Sequence, residues 1–241
     1  MKYRVVNLVL FVVMVVVNYL ANALPINGIT TGQISEMYPN LFVPAGITFS
    51  IWGVIYLMLL VFVILQFGEK NKIIVQQIGW FFALSCALNA LWIFAWHYEM
   101  LLISLLIMLT LLATLIFINL KLHAQPNGFI KAAFGIYLGW ISIATIANVT
   151  ALLVSINWGA WGLSHEAWAI IMILVGAAIT ALAIIKINNL FIGLAVIWAF
   201  MGIIVKRQDD YQSIVIASIV GIVLVGATAI YKFMKSGVKK T

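Results

Sequence analysis

Eight apolar runs separated by short polar breaks organise this chain, at approximately residues 5–24, 47–67, 75–96, 100–121, 131–154, 168–186, 190–205 and 213–233. Most reach the roughly 20 residues that carry a helix across a bilayer core of about 30 Å. The runs are solid rather than alternating, whereas barrel strands show alternating polarity over about ten residues. The pattern therefore predicts an all-α polytopic membrane protein of about eight transmembrane helices. The run 190–205 is short, and is expected to thin the bilayer locally or to lie half-buried. Tight links at His97–Glu99 and Ile187–Asn189 force antiparallel neighbours. The longest outer connection, residues 25–46, contains Pro25, Gly28, Gly32 and Pro44, and is either a lid or an ordinary loop.

Composition agrees with the pattern. Of 241 residues, 66% are hydrophobic and 8% charged, against roughly 25% charged in soluble domains. No water-soluble fold of this size hides so much apolar surface. The net charge of +7 does not indicate nucleic acid, because the basic residues stand singly between apolar runs. Cys86 is the sole cysteine, so neither an internal disulfide nor a cysteine metal site is available.

Charge placement sets an orientation. With eight spans and an inner N-terminus, the inner segments hold Lys2, Arg4, Lys70, Lys72, Lys121, Lys131, Lys186, Lys232, Lys235, Lys239 and Lys240, and the outer segments only Lys206 and Arg207. The positive-inside rule then puts both termini on the cytoplasmic side, and a bacterial cytoplasmic membrane is the expected location. A competing reading takes Met1–Arg4, the apolar residues 5–17 and Ala21-Asn22-Ala23 as a cleavable signal peptide. It would leave seven spans with the same C-terminal side.

No charge lies near the middle of any span, which argues against ion-coupled transport and against a retinal Schiff base. The spans carry aromatic and amide residues at helical spacing instead. Phe49, Trp52 and Tyr56 fall at i, i+3, i+7; so do Asn89, Trp92 and Trp96; Tyr137, Trp140, Ala144 and Asn148 fall at i, i+3, i+7, i+11. Each set lies on one helix face. Trp and Tyr also form interfacial belts and Asn joins helices, so each residue has an ordinary structural reading. Trp52, Trp92 and Trp140 lie too deep for a belt. Together the stripes predict a flat aromatic cavity with amide edges, suited to a large planar ligand.

These same residues resemble the signature of the TspO/MBR family, the tryptophan-rich sensory proteins and peripheral benzodiazepine receptor or translocator proteins. Pro44, Phe49, Trp52 and Tyr56 follow its first-loop and second-helix pattern, Leu88-Asn89-Ala90-Leu91-Trp92 its third helix, and Tyr137, Trp140, Ala144 and Asn148 its fifth. The chain departs from it at Ala45, Ile136, Ile143 and Ala147. The family's cholesterol-recognition pattern is missing after the fifth span, with only a loose match at Val225, Tyr231 and Lys235. The likeness is read over roughly residues 1–155, a five-helix bundle, with residues 156–241 as a three-helix transmembrane extension.

The resemblance implies binding of a tetrapyrrole such as haem or protoporphyrin, or of a sterol-like lipid, with no required cofactor. It nominates Phe49, Trp52, Tyr56, Asn89, Trp92, Trp140, Ala144 and Asn148 as the ligand site. Trp52, Trp92 and Trp140 would stack on the ligand, Asn89 and Asn148 would hydrogen-bond it, and Ala144 would set cavity depth. Expected partners are the bilayer, a hydrophobic small molecule and, as a possible assembly, a homodimer; nucleic acid is not expected.

Catalytic chemistry is not expected. No phosphate loop, nucleophile elbow or carboxylate pair appears, and the porphyrin breakdown of some relatives has no sequence signal here. His97, His123 and His165 all fall in connections without a second ligand at useful spacing, and read as solvated loop histidines rather than metal ligands. The leading function is a membrane sensor or carrier. The alternatives are a transporter or permease component with its path among the last four spans, where Gly176, Gly193, Gly202, Gly221 and Gly226 permit close packing, and an assembly partner with no ligand.

Overall fold

The computed structural model describes residues 2–24, 26–126 and 128–238. Pro25, Lys239 and Lys240 lie outside the described residues, as does the side chain of Lys2. Ten helices occur among the described residues: α1 (Lys2–Ala23), α2 (Thr31–Met37), α3 (Ile51–Leu65), α4 (Lys72–Ile78), α5 (Phe81–His97), α6 (Leu101–Lys121), α7 (Phe129–Ser155), α8 (His165–Ile187), α9 (Ile192–Arg207) and α10 (Gln212–Val238). Nine of them follow the eight apolar runs, the third run being divided between α4 and α5; α2 is a short addition in the connection 25–46.

Six stretches are long and apolar enough to cross a bilayer alone, those built on α1, α3, α6, α7, α8 and α10. The run 75–96, expected as one straight span, is instead broken. Gly79 takes a left-handed φ of 54°, and α4 meets α5 at 61°. This bent pair is a seventh candidate span. At 16 residues, α9 measures about 24 Å, short of the roughly 30 Å core. The molecule is a polytopic α-helical membrane protein.

The helices pack partly in sequence order, α5 on α6, α6 on α7 and α9 on α10, and partly out of it, α1 on α5, α7 on α9, α8 against α10 and α3 across α7. In hydrocarbon there is little hydrophobic drive between helices, so close backbone approach and polar contacts hold them together. Both are evident. An added Cβ at Gly139 of α7 would stand inside the carbonyl oxygen of Ile192 of α9, with the Ala195 Cβ at 3.1 Å. One at Gly202 of α9 would collide with Thr48, in the 3-10 turn Gly46–Ser50 that leads into α3. There the Gly202 carbonyl accepts from the Ala45 N–H at 3.0 Å, and the Trp198 indole donates to the Thr48 carbonyl at 2.8 Å.

Buried amides tie the end that carries both termini. Asn7 donates to Gln66 at 3.1 Å, and Gln66 to the Arg4 carbonyl at 3.2 Å. Asn189, fully buried, donates to Asn119 and to the Lys131 carbonyl, each at 2.8 Å. The Lys131 ammonium caps the His123 and Gln125 carbonyls. Each bond satisfies a group that lipid would leave bare.

Candidate functional site

Trp52, the second residue of α3, is the hub of an aromatic cluster. Its ring stacks on Tyr56 at 5.5 Å, lies 6.4 Å from Trp92 of α5, and meets Tyr137 and Trp140 of α7 edge-on at 6.2 and 6.1 Å. Phe49 meets Trp140 edge-on at 5.9 Å, and Trp96 extends the stack from Trp92 at 5.9 Å. These offset and edge-to-face arrangements are those the ring quadrupoles favour. The three stripes thus turn inward toward one place between α3, α5 and α7.

Two spaces flank Trp52. A small, partly open cavity of about 50 Å³ is walled by Phe49, Trp52, Trp92, Trp140, Ala144 and Asn148. On the other face a cleft of about 340 Å³ runs among α1, α3 and α5, past Asn18, Asn22, Tyr56 and Ile93. Phe49, Trp52 and Trp92 belong to both, so the rings form a partition. Seven of the eight nominated residues therefore line one space or the other. Asn89 lies behind the rings and lines neither. Its amide is committed to the fold, accepting from Asn18 at 2.7 Å and donating to the Tyr137 hydroxyl at 3.0 Å. The i, i+3, i+7 pattern placed Asn89 on the same face as Trp92, but could not show that α1 presents an amide to it.

Charged side chains are absent from both linings, yet unused polar atoms are present. The indole N–H groups of Trp92 and Trp140, the Tyr56 hydroxyl and the Asn148 side-chain oxygen are buried without a hydrogen-bond partner. Asn148 commits only its N–H, to Ser104 at 2.9 Å. Buried polar groups in folded proteins are nearly always paired. Among the described residues seven such atoms occur; these four border the two spaces beside Trp52, and the others are on Arg4, Asn7 and Thr48.

The roof comes from residues 26–46, which include α2 and contribute Thr31, Ser35, Asn40 and Pro44 to the small cavity. Thr30 begins α2 with a capping box, its hydroxyl accepting from the Gln33 N–H while the Gln33 side chain takes the Thr30 N–H. The segment is strapped at both ends. At one end stands His97, expected in solvent but fully buried. Its Nδ1 pairs with the Ile26 carbonyl at 2.9 Å and its Nε2 with the Thr31 hydroxyl at 3.0 Å. Trp96 donates to the Thr31 carbonyl, and Asn27 to the His97 carbonyl. Tyr38 donates to Glu99 at 2.7 Å; burial, then that bond and the Glu99 charge, push its phenol up to about 12. At the other end Arg207 donates to the Asn40 and Leu41 carbonyls at 2.8 and 3.2 Å. The length of this connection and its Pro and Gly content marked it as a lid or a loop, but its residues have no periodicity, so the individual anchors were not marked. His123 and His165 are exposed as expected. Among the described residues no group of three or more His, Cys, Asp or Glu assembles to hold a metal ion.

Fold and site together define an integral helical membrane protein with an uncharged, aromatic-walled hollow beneath the strapped segment 26–46. Residues 4–231 match the family described as TSPO-like protein, and the chain belongs to that family. The match runs well past residue 155, where the likeness read from motifs stopped, and takes in α8, α9 and most of α10. No curated protein and no solved structure matches the chain.

Proposed function

We propose that this protein is a membrane ligand-binding sensor or carrier that takes a planar, mostly apolar molecule, of tetrapyrrole or sterol-like shape, at the Trp52 cluster. The observation that carries this reading is the set of unpaired polar atoms on Trp92, Trp140, Tyr56 and Asn148 around an otherwise apolar hollow. A ligand with polar edges would satisfy them while its faces stack on the indoles.

Size constrains how it binds. Small-molecule sites typically enclose about 300–1,000 Å³, and the small cavity offers about 50 Å³. The neighbouring cleft offers about 340 Å³. Binding therefore begins in the cleft between α1 and α3, and rotation of the half-buried Trp52 indole joins the two spaces. The strapped roof bars the direct route from water. On the charge distribution, both termini face the cytoplasm, and a bacterial cytoplasmic membrane is the proposed location. The role is binding, without catalysis.

The test is titration of the purified protein in lipid nanodiscs with protoporphyrin, read by quenching of tryptophan fluorescence. Trp52→Phe with Trp140→Phe should weaken binding by about tenfold or more, the loss of one stacking face and one N–H bond. Unchanged affinity in that double variant sinks the assignment of the site.

A further inference from the structure

A second hollow lies beside the Trp52 cavity, with which it shares Ser35, Asn40 and Val43, and is walled by residues 35–43, the end of α7 and side chains of α8 and α9. It has two arms. The apolar arm, about 390 Å³, passes between the end of α7 and the start of α8, lined by Leu153, Val154, Met172 and the indoles of Trp158 and Trp168. The polar arm, about 540 Å³, is lined by Lys206, Arg207, Tyr211, Ser35 and Glu36. Pro39, Asn40, Leu41 and His165 line both, so the arms share a wall.

Three features describe the occupant. Lys206 and Arg207 are the two basic residues that the sequence puts on the outer side, and both line the polar arm. Neither forms an ion pair among the described residues. Arg207 is steadied by the Asn40 and Leu41 carbonyls, and Lys206 by the Pro44 carbonyl at 3.5 Å. Carbonyls hold the cations in place; the Glu36 carboxylate in the lining acts on Lys206 and the neighbouring Asp210 on Arg207, neither close enough for a salt bridge. The apolar arm runs toward the membrane interior: Met172 is seven residues along α8 from His165, about 10 Å deeper. Trp158, Trp161 and Trp168 pack within 5.0–5.7 Å of one another at its mouth. Trp161 is 81% exposed, as befits an indole at the level of lipid headgroups.

We infer that this hollow is a binding site for an amphiphile with an anionic head and a single acyl chain, the head on Lys206 and Arg207 and the chain between α7 and α8. An anionic head satisfies two held, unpaired cations, and the apolar arm takes the chain that a free anion lacks.

The experiment uses the full-length protein in phosphatidylcholine nanodiscs, with bound molecules counted by native mass spectrometry. Three probes are titrated: lysophosphatidylglycerol, lysophosphatidylcholine with the same acyl chain, and glycerol phosphate. The wild type should bind one lysophosphatidylglycerol, with lysophosphatidylcholine about tenfold weaker for want of net negative charge. Lys206→Glu should weaken lysophosphatidylglycerol about tenfold and spare lysophosphatidylcholine. Met172→Trp, which fills the apolar arm, should weaken both. Equal binding of the two lysolipids overturns the proposal, as does wild-type affinity in both variants. Competition by glycerol phosphate at the concentration of the lysolipid also overturns it, since the site would then be one for free anions. Protoporphyrin binding should be unchanged in Met172→Trp, because Met172 lines neither space beside Trp52, so failure at one site does not imply failure at the other.

Discussion

Replacing Trp140 by Phe deletes a buried indole N–H that bonds to nothing; replacing Trp198 by Phe deletes one that donates to the Thr48 carbonyl at 2.8 Å. The two substitutions remove the same atoms, so the volume lost cancels to first order. What differs is the state of the N–H. An unpaired buried donor costs about 1–3 kcal/mol, and Trp140→Phe relieves it; Trp198→Phe forfeits a made bond of net worth about 1 kcal/mol. Trp198→Phe should therefore be less stable than Trp140→Phe by about 2–4 kcal/mol. Reversible unfolding in mixed micelles, followed by circular dichroism as dodecyl sulfate is raised, gives the difference. Affinity should move the other way, with Trp140→Phe losing protoporphyrin binding by about tenfold and Trp198→Phe keeping it, because only the first N–H is free to meet a ligand. Equal stability of the two variants would refute the reasoning, since Trp140 would then have a partner in the ligand-free protein.

Three further outcomes follow from the packing. Gly139→Ala forces α7 away from the Ile192 carbonyl and should cost about 1–3 kcal/mol, whereas Gly53→Ala, with open space around it, should be neutral or slightly stabilising; the same unfolding assay separates them. Asn189→Ala removes three side-chain hydrogen bonds, those donated to Asn119 and to the Lys131 carbonyl and that accepted from the Phe191 N–H, and should cost about 2 kcal/mol at the roughly 0.6 kcal/mol or more typical of such bonds in membranes. Tyr38 holds its proton up to about pH 12 in the folded protein, against about 10 when unfolded. The folded state thus binds more protons between those values, and the roof anchor is intact below pH 10 and lost as pH rises through 12. Limited proteolysis of residues 26–46 across that range should show increasing cleavage, and Tyr38→Phe should abolish the pH dependence.

Much of the molecule was legible in one dimension. Helix class and the position of most helices follow from run length, because a backbone in lipid satisfies its polar groups within each helix and needs a fixed length to cross; the break at Gly79 and the added α2 do not. The inward face of each stripe follows from helical period, and this placed Phe49, Trp52, Trp92, Trp140 and Asn148 around one hollow before any packing was known. The limits were as regular. His97 read as a loop histidine because its partners, Ile26 and Thr31, are about 70 positions away and show no pattern. Asn89 read as a ligand group because its true partner, Asn18, belongs to another helix.

The sequence by itself determined the solvent, the helices and which face of each carries aromatic rings, since these depend on composition and local period. Tertiary structure alone decided that Trp52 divides a small cavity from a larger cleft, that residues 26–46 are tied down by His97 and Arg207, and that Lys206 and Arg207 look into a hollow beside α8. A cavity is a small difference between large packed volumes, and a strap is a bond between residues up to 167 positions apart. Neither quantity is encoded in any short stretch of chain.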